Sequence, residues 1–148
     1  MYQSILVPID GSKLAEAILP EVEELAALLE ARLHLIMVSR VNVLPGLDPT
    51  NAQVRVIHLA QNYLEKLQKQ LIVKNIDVEL HTPYGDPAEK ILEVCQRDDI
   101  DLIAMSTHGR GGIGRWLLGS IADKVMRHSE KPVLLLRASN TNIDPSEK

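Results

Sequence analysis

The sequence predicts an α/β fold in which a single domain contains a doubly wound, five-stranded parallel sheet. Three observations carry this prediction. The 148 residues alternate short apolar runs with amphipathic segments at helical spacing, and strands that alternate with helices favour parallel pairing. The composition is 45% hydrophobic but only 3% aromatic, so Leu, Ile, Val and Ala must fill the core, as in buried parallel sheets. The length is also typical of one domain.

The first part of the chain predicts a strand, a turn and a helix. Residues 4–9 form a short apolar run, and Pro8 should lie near its end because proline has no N–H for the sheet ladder. Asp10-Gly11-Ser12 is a turn sequence, and Ser12 is expected to cap the amphipathic helix that follows. Pro20 falls inside this helix and should kink it or break its hydrogen bonding.

The middle of the chain predicts two more strands and two more helices. A second strand is expected at residues 32–38, and residues 41–50 are expected to form a loop because they contain two prolines and a glycine. Apolar residues at helical spacing between 56 and 71 predict a helix. Residues 77–85 alternate apolar and polar side chains, which is typical of an edge strand. Asp86 and Pro87 then begin another helix, as N-cap and first residue.

The last part of the chain predicts two strands separated by a glycine-rich segment and a helix. The strands are expected at residues 100–106 and 133–137. Ser120 and Asp123 resemble a capping box at the start of the intervening helix. We expect one domain over residues 1–138 and a polar tail, residues 139–148, that frays.

The charge distribution bears on the kind of ligand. The net charge of −4 argues against a general affinity for nucleic acid or anionic membranes, and the scarcity of aromatic residues argues against base stacking. Between residues 106 and 131, however, five basic residues accompany only two acidic ones. A basic, glycine-rich segment in an acidic protein indicates a small anionic ligand, although scattered surface charge is the alternative interpretation.

Cysteine usage and the amino terminus indicate a cytoplasmic protein. The single Cys95 cannot form an internal disulfide, which fits a reducing compartment, and it falls on an apolar helix face where we expect it to pack rather than react. The first ten residues have no basic segment and only a short apolar run, unlike a signal peptide. No run approaches the length of about 20 apolar residues that a membrane helix needs.

The segment MSTHGRGGIGRWLLGS, residues 105–120, superficially matches two phosphate-binding motifs. Gly109, Gly111 and Gly114 fit the dinucleotide pattern G-x-G-x-x-G, but that pattern belongs to the first strand–helix turn with an acidic residue ending the next strand. Here the next strand ends in Arg137. The P-loop pattern also fails, because Arg115-Trp116 replaces the lysine and hydroxyl residue that phosphoryl transfer requires.

The residues themselves favour a mononucleotide pocket. A glycine-rich loop can wrap an anion with backbone N–H groups, and Gly119-Ser120 would place a positive helix N-terminus beside it. Arg110 or Arg115 could add charge. Asp10, at another strand end, could bind ribose hydroxyls or a metal ion. The alternative roles are structural: Ser120 as an N-cap and Asp10 as a turn residue.

At these residues the chain resembles the universal stress protein family. The spacing of Gly109 and Gly119-Ser120 is similar to that family's nucleotide signature, G-x2-G-x9-G-[ST]. The segments ILVPIDGS, LHLIMVS, GDPAEKIL, DLIAMSTHGRGG and KPVLLLR follow the family's order over residues 2–138. The resemblance implies a Rossmann-like, adenine nucleotide alpha hydrolase-like fold with strand order 3-2-1-4-5, and bound ATP or AMP. If the nucleotide carries a metal ion, we expect Mg²⁺ or Mn²⁺ on its phosphates.

The resemblance also implies the residues of the nucleotide site, to which the charge argument adds Arg110. Base and ribose would contact the first two strand ends, and the phosphates would contact the loop and the helix start. The predicted site residues are Pro8, Ile9, Asp10, Val38, Met105, Ser106, His108, Gly109, Arg110, Gly119, Ser120 and Ile121. One position departs from the signature, because Ser106 stands where its first glycine is expected. Its side chain could narrow the pocket or add a hydrogen bond.

The sequence favours binding over catalysis. His34 and His81 lie in predicted strands, and the spacing of the histidines does not match a metal site. His108 alone lies beside the predicted pocket, so we expect at most slow ATP hydrolysis. Two hypotheses follow: a dimeric, nucleotide-binding regulatory protein of the stress response, or an interaction protein with an empty or vestigial pocket. The family resemblance implies a homodimer paired through the last strand, residues 133–137, whose apolar edge would favour pairing.

Overall fold

The computed structural model describes residues 1–40, 45–46, 48–97, 99–108 and 118–138. The predictions for Gly109, Arg110, Arg115 and the tail at 139–148 lie outside the described residues. The elements follow one another as β1 (Ser4–Pro8), α1 (Lys13–Glu16), α2 (Leu19–Leu29), β2 (Arg32–Ile36), α3 (Pro49–Ile72), β3 (Val78–His81), α4 (Pro87–Arg97), β4 (Leu102–Ser106), α5 (Ser120–His128) and β5 (Val133–Leu136).

The five strands form one parallel sheet in the order β3-β2-β1-β4-β5, which confirms the predicted fold class and strand order. β1 lies between β2 and β4, so the chain reverses its winding direction at β1. Parallel strands end at the same edge, and ligands of doubly wound sheets bind beyond this edge at the reversal point. The edge strands are β3, as its alternating pattern predicted, and β5.

Two apolar clusters cover the two faces of the sheet. Because side chains alternate along a strand, Leu33 and Leu35 of β2 pack on the face that α2 and α3 cover, while Ile36 packs on the face of α4 and α5. All three are at most 1% exposed. Among the described residues, no helix is both long and apolar enough to cross a membrane.

The helix starts follow the predicted capping chemistry at two sites. The Ser12 hydroxyl accepts a hydrogen bond from the Ala15 N–H at 3.1 Å, and the Asp86 carboxylate accepts one from the Glu89 N–H at 3.1 Å. The predicted break in the first helix is also present. The chain forms two helices, α1 and α2, and Pro20 lies in the first turn of α2, where its missing N–H leaves no broken bond.

The predicted loop at residues 41–50 extended too far. Pro49 and Thr50 belong to α3, and the Asp48 carboxylate accepts a hydrogen bond from the Thr50 N–H at 2.9 Å. Asp48-Pro49 is therefore the same N-cap signal as Asp86-Pro87, but the preceding proline and glycine obscured it. Strand ends were also predicted too long: β2 ends at Ile36, β4 begins at Leu102, and β5 ends at Leu136.

Candidate functional site

A cavity of about 730 Å³ opens at the carboxyl ends of β1, β2 and β4. This volume is within the usual range of small-molecule sites. Ten of the twelve predicted site residues line it, and the other two, Gly109 and Arg110, are outside the described residues. The ten are Pro8, Ile9, Asp10, Val38, Met105, Ser106, His108, Gly119, Ser120 and Ile121. The structure thus brings together residues from four separate parts of the chain.

The end of β1 forms one side of the cavity. The Ile9 N–H donates to the Ile36 carbonyl at 2.9 Å, which extends the pairing of β1 and β2 past the last strand residue. The Asp10 Oδ1 atom accepts a hydrogen bond from the Ser12 N–H at 2.9 Å. Asp10 therefore performs the local turn role that the sequence left open, and its half-buried carboxylate is held at the cavity.

The end of β4 forms the opposite side. Ser106 is only 8% exposed, and its hydroxyl accepts a long hydrogen bond, 3.4 Å, from the His108 N–H. The His108 Nδ1 atom lies 3.0 Å from the Thr107 hydroxyl. The other ring nitrogen, Nε2, is buried and has no hydrogen-bond partner within the described segments. A ligand atom could satisfy that nitrogen.

The N-terminus of α5 closes the site. The predicted capping box is wrong, because Gly119 occupies the N-cap and Ser120 is the first helical residue. The Gly119 carbonyl accepts from the Asp123 N–H at 2.9 Å, and the Asp123 carboxylate instead bonds Arg127 at 3.0 Å. Ser120 is consequently released from capping, and its exposed hydroxyl lies at the cavity beside the first-turn N–H groups.

The sequence reasoning missed the wall that α3 contributes. Val56, Leu59, Ala60 and Tyr63 line the cavity from this helix. The Tyr63 hydroxyl is buried without a hydrogen-bond partner among residues that the structure describes. No local signal distinguishes these positions from an ordinary amphipathic face, because their role depends on how α3 packs against the sheet.

Arg40 was also missed, although a signal existed. It lies two residues after Val38, at the end of β2, and a cation there faces the same edge of the sheet as the glycine-rich segment. Arg40 lines the cavity, and its Nη2 atom lies 3.7 Å from the Asp86 carboxylate. Both side chains are more than a third exposed, so we expect this ion pair to be weak.

Cys95 packs in the core, as its helical position predicted. It is 2% exposed and belongs to the cluster beneath α4 and α5. Burial raises the pKa of its thiol, and Lys131 lowers this pKa to a smaller extent. The neutral thiol is therefore the favoured form, which fits a packing role rather than a nucleophilic one.

The argument from histidine spacing overlooked one cluster. His34 of β2 and His81 of β3 are 47 residues apart, yet their rings are 3.0 Å apart at the nearest nitrogens. Parallel pairing of β2 and β3 brings them together. Spacing along the chain detects metal ligands within one element or loop, and it does not detect ligands on neighbouring strands.

The architecture defines a class: a Rossmann-like α/β protein with a polar-rimmed cavity at the point where its sheet changes winding direction. The model of the universal stress protein family matches residues 1–137. The chain therefore belongs to the universal stress protein family.

Individual relatives agree with this assignment. Universal stress protein MJ0531 of Methanocaldococcus jannaschii is 30% identical, with 93% of this chain and 83% of that protein covered. The solved structure of MJ0577 from the same organism superposes with a TM-score of 0.85 at 28% identity, covering 95% of this chain and 99% of that one. The universal stress protein of Archaeoglobus fulgidus solved in complex with dAMP has a TM-score of 0.64 at 20% identity, covering 90% and 97%.

Proposed function

We propose that this protein binds an adenine nucleotide, ATP or AMP, in the cavity between β1, β4 and α5, and acts as a dimeric regulatory protein in a stress response. One observation carries the proposal: ten residues expected at a nucleotide line one cavity that includes a helix N-terminus. Free N–H groups at such a terminus favour phosphate.

The proposed pose divides the cavity into an apolar end and an anion-binding end. Pro8, Ile9 and Val38 would contact the base, and the Asp10 carboxylate would accept hydrogen bonds from ribose hydroxyls. The phosphates would lie against Gly119, Ser120 and Ile121. Met105 and Ser106 would form the floor between the two ends, since both are buried residues of β4 that line the cavity.

The donors at the anion-binding end suit phosphate. Arg40 adds a cation, and the buried His108 Nε2 atom can accept or donate a hydrogen bond. Gly109 and Arg110 remain part of the proposed site. A Mg²⁺ or Mn²⁺ ion would bind mainly through the phosphates, where it would neutralise their charge. The Archaeoglobus fulgidus protein that was solved with dAMP has the same fold, and its ligand is also an adenine nucleotide, which supports the proposed ligand.

An equilibrium binding experiment tests the proposal. ATP, ADP and AMP are titrated into the purified protein by calorimetry, with and without Mg²⁺, and nucleotide that co-purifies is released by heat and measured by absorbance. We expect saturable binding of one nucleotide per chain. Saturation at about 100 times the dissociation constant should add roughly 2.7 kcal/mol to the free energy of unfolding. No binding at millimolar concentration would refute the nucleotide function.

The second candidate is an interaction protein whose cavity is vestigial and which acts through dimer contacts. Its support is the position of β5, a short apolar strand at the sheet edge. This candidate predicts an oligomer that forms equally well with and without nucleotide. Sedimentation at several protein concentrations, with and without ATP, separates the two candidates, because only the first links nucleotide to assembly or stability.

A further inference from the structure

We propose that His34, Glu79 and His81 form a binding site for a divalent transition-metal ion with the ligand preferences of Zn²⁺. The site lies on β2 and β3, and none of its three residues is among those lining the cavity. It is therefore separate from the proposed nucleotide site and from any metal ion carried on nucleotide phosphates.

The sheet register brings the three side chains onto one face. Glu79 and His81 are two residues apart on β3, so they point to the same side. In the parallel pairing, His34 is the partner of Glu79, and Ile36 is the partner of His81. Leu33, Leu35 and Val78 occupy the opposite face, in the core under α2 and α3. β3 therefore offers two ligands and β2 offers the third, all on the same face of the sheet.

The distances are short enough for a shared ion. The His34 Nδ1 atom lies 3.0 Å from His81 Nε2 and 3.9 Å from Glu79 Oε2, and all three ligand atoms lie within 4.8 Å of one another. The ring centroids are 5.3 Å apart with planes inclined by only 16°. The two contact nitrogens therefore meet end to end, in a hydrogen bond that one ring donates to the other.

Metal binding requires a local rearrangement of the two rings. Zn–N bonds of 2.0–2.1 Å at a tetrahedral angle place two nitrogens about 3.3 Å apart, so the rings must separate slightly and tilt. The proton between them moves to the other nitrogen of its own ring, which leaves a lone pair on each contact nitrogen. Glu79 is also 3.6 Å from Arg32, but Arg32 has a closer partner in Asp77 at 2.6 Å.

The donor set and its exposure indicate the kind of ion. Two imidazoles and one carboxylate suit Zn²⁺ and neighbouring transition metals better than Mg²⁺ or Ca²⁺, which prefer oxygen ligands. The His34 side chain is 5% exposed and is held by the sheet, whereas Glu79 is 48% exposed on an edge strand. Solvent can reach the ion from the Glu79 side. A water molecule would therefore be its fourth ligand, beside the three that the protein provides.

Zn²⁺ titration of the full chain without nucleotide, monitored by competition with a chromophoric chelator, tests the site. We expect one Zn²⁺ per chain, and at least about a tenfold loss of affinity in both Glu79→Gln and His81→Gln. His58→Gln is the matched control, because His58 is exposed on α3 outside the cluster, and it should bind like the unmodified protein. Equal affinity in all four proteins would overturn the proposal, as would the absence of binding.

A second measurement identifies the ligand atoms directly. In nitrogen NMR of the imidazole rings, Zn²⁺ should shift His34 Nδ1 and His81 Nε2, with His58 unchanged. Thermal unfolding of Glu79→Gln without metal shows whether the fold is retained, which we expect because this side chain is half exposed. Binding that leaves both cluster rings unshifted would assign the metal to other residues and overturn the site.

Discussion

The backbone N–H of Gly119 donates a hydrogen bond to the carbonyl of Thr107 at 2.8 Å. This bond joins the end of β4 to the start of α5 across the glycine-rich segment. Ser106 directly precedes Thr107, and Ser120 directly follows Gly119. Both serines consequently line the same cavity. The β4 side of the candidate site and its helix N-terminus are therefore held together by the backbone, whatever side chains intervene.

Ser120→Asp should affect stability and nucleotide affinity in opposite directions. A carboxylate in the first turn of α5 should raise the free energy of unfolding by about 0.3–1 kcal/mol, because it complements the helix dipole. The same charge should repel phosphate and weaken ATP binding at least about tenfold. Denaturant unfolding and calorimetry measure the two effects, with Ser120→Asn as the uncharged control. Unchanged ATP affinity in Ser120→Asp would contradict a phosphate site at α5.

Ser106 replacements should show whether its side chain obstructs the nucleotide. Because its hydroxyl bonds the His108 N–H, we expect Ser106→Gly to bind ATP within about threefold of the unmodified protein. Ser106→Val places an additional methyl group at a buried position and should weaken binding about tenfold. Calorimetric titration provides the measurement. A tenfold gain in Ser106→Gly would instead mean that serine narrows the pocket.

Tyr63→Phe should show whether the Tyr63 hydroxyl, on the α3 side of the cavity, serves the fold or the binding of nucleotide. The Tyr63 hydroxyl is buried without a partner among the described residues. Its removal should therefore leave the free energy of unfolding unchanged or raise it by about 1 kcal/mol. If a nucleotide satisfies this hydroxyl, affinity should fall about five- to tenfold. Tyr63→Leu is the control for loss of the ring. Full affinity together with reduced stability in Tyr63→Phe would show that the hydroxyl serves the fold.

The predicted dimer can be tested at one backbone N–H of β5. The Pro132 carbonyl accepts a hydrogen bond from the Ile103 N–H in β4, and the Leu136 carbonyl accepts one from the Thr107 N–H just after β4. Peptide groups alternate in direction along a strand, so the Leu135 N–H points away from β4. Leu135→Pro should therefore remove an outward donor and give a monomer. Leu135→Ala loses more of the side chain's packing but keeps the N–H, and it should stay dimeric. Equal masses of the two variants in sedimentation would exclude pairing through this edge.

Cys95 should make stability fall at alkaline pH. Burial raises the pKa of this thiol above the value of about 8.5 in the unfolded chain, so the unfolded state loses its proton first as pH rises. The contribution of the protonated thiol to the free energy of unfolding is therefore complete below about pH 8.5. Above this pH, the free energy of unfolding should fall by at most about 1.4 kcal/mol per pH unit on account of Cys95. Denaturant unfolding between pH 7 and pH 10 should show a shallower decline in Cys95→Ala. Identical slopes would contradict the raised pKa.

Much of the fold was predictable because its signals are local. Apolar periodicity indicated every strand and the long helices, and Ser12 and Asp86 capped their helices as predicted. Element ends were less predictable. At Ser120 and Asp123 the pattern favoured a capping box, but Gly119 occupies the N-cap, and its N–H bonds the Thr107 carbonyl at the end of β4, a contact that local sequence does not reveal.

The sequence by itself determined the family, the parallel sheet and the ten described cavity residues drawn from its motifs. Tertiary structure alone decided which other side chains join them, such as Tyr63 and Arg40, because that depends on how α3 and the β2 end pack around the cavity. It also decided the meeting of His34, Glu79 and His81. These residues converge through the register of two strands separated by a long helix, and chain spacing does not encode this register.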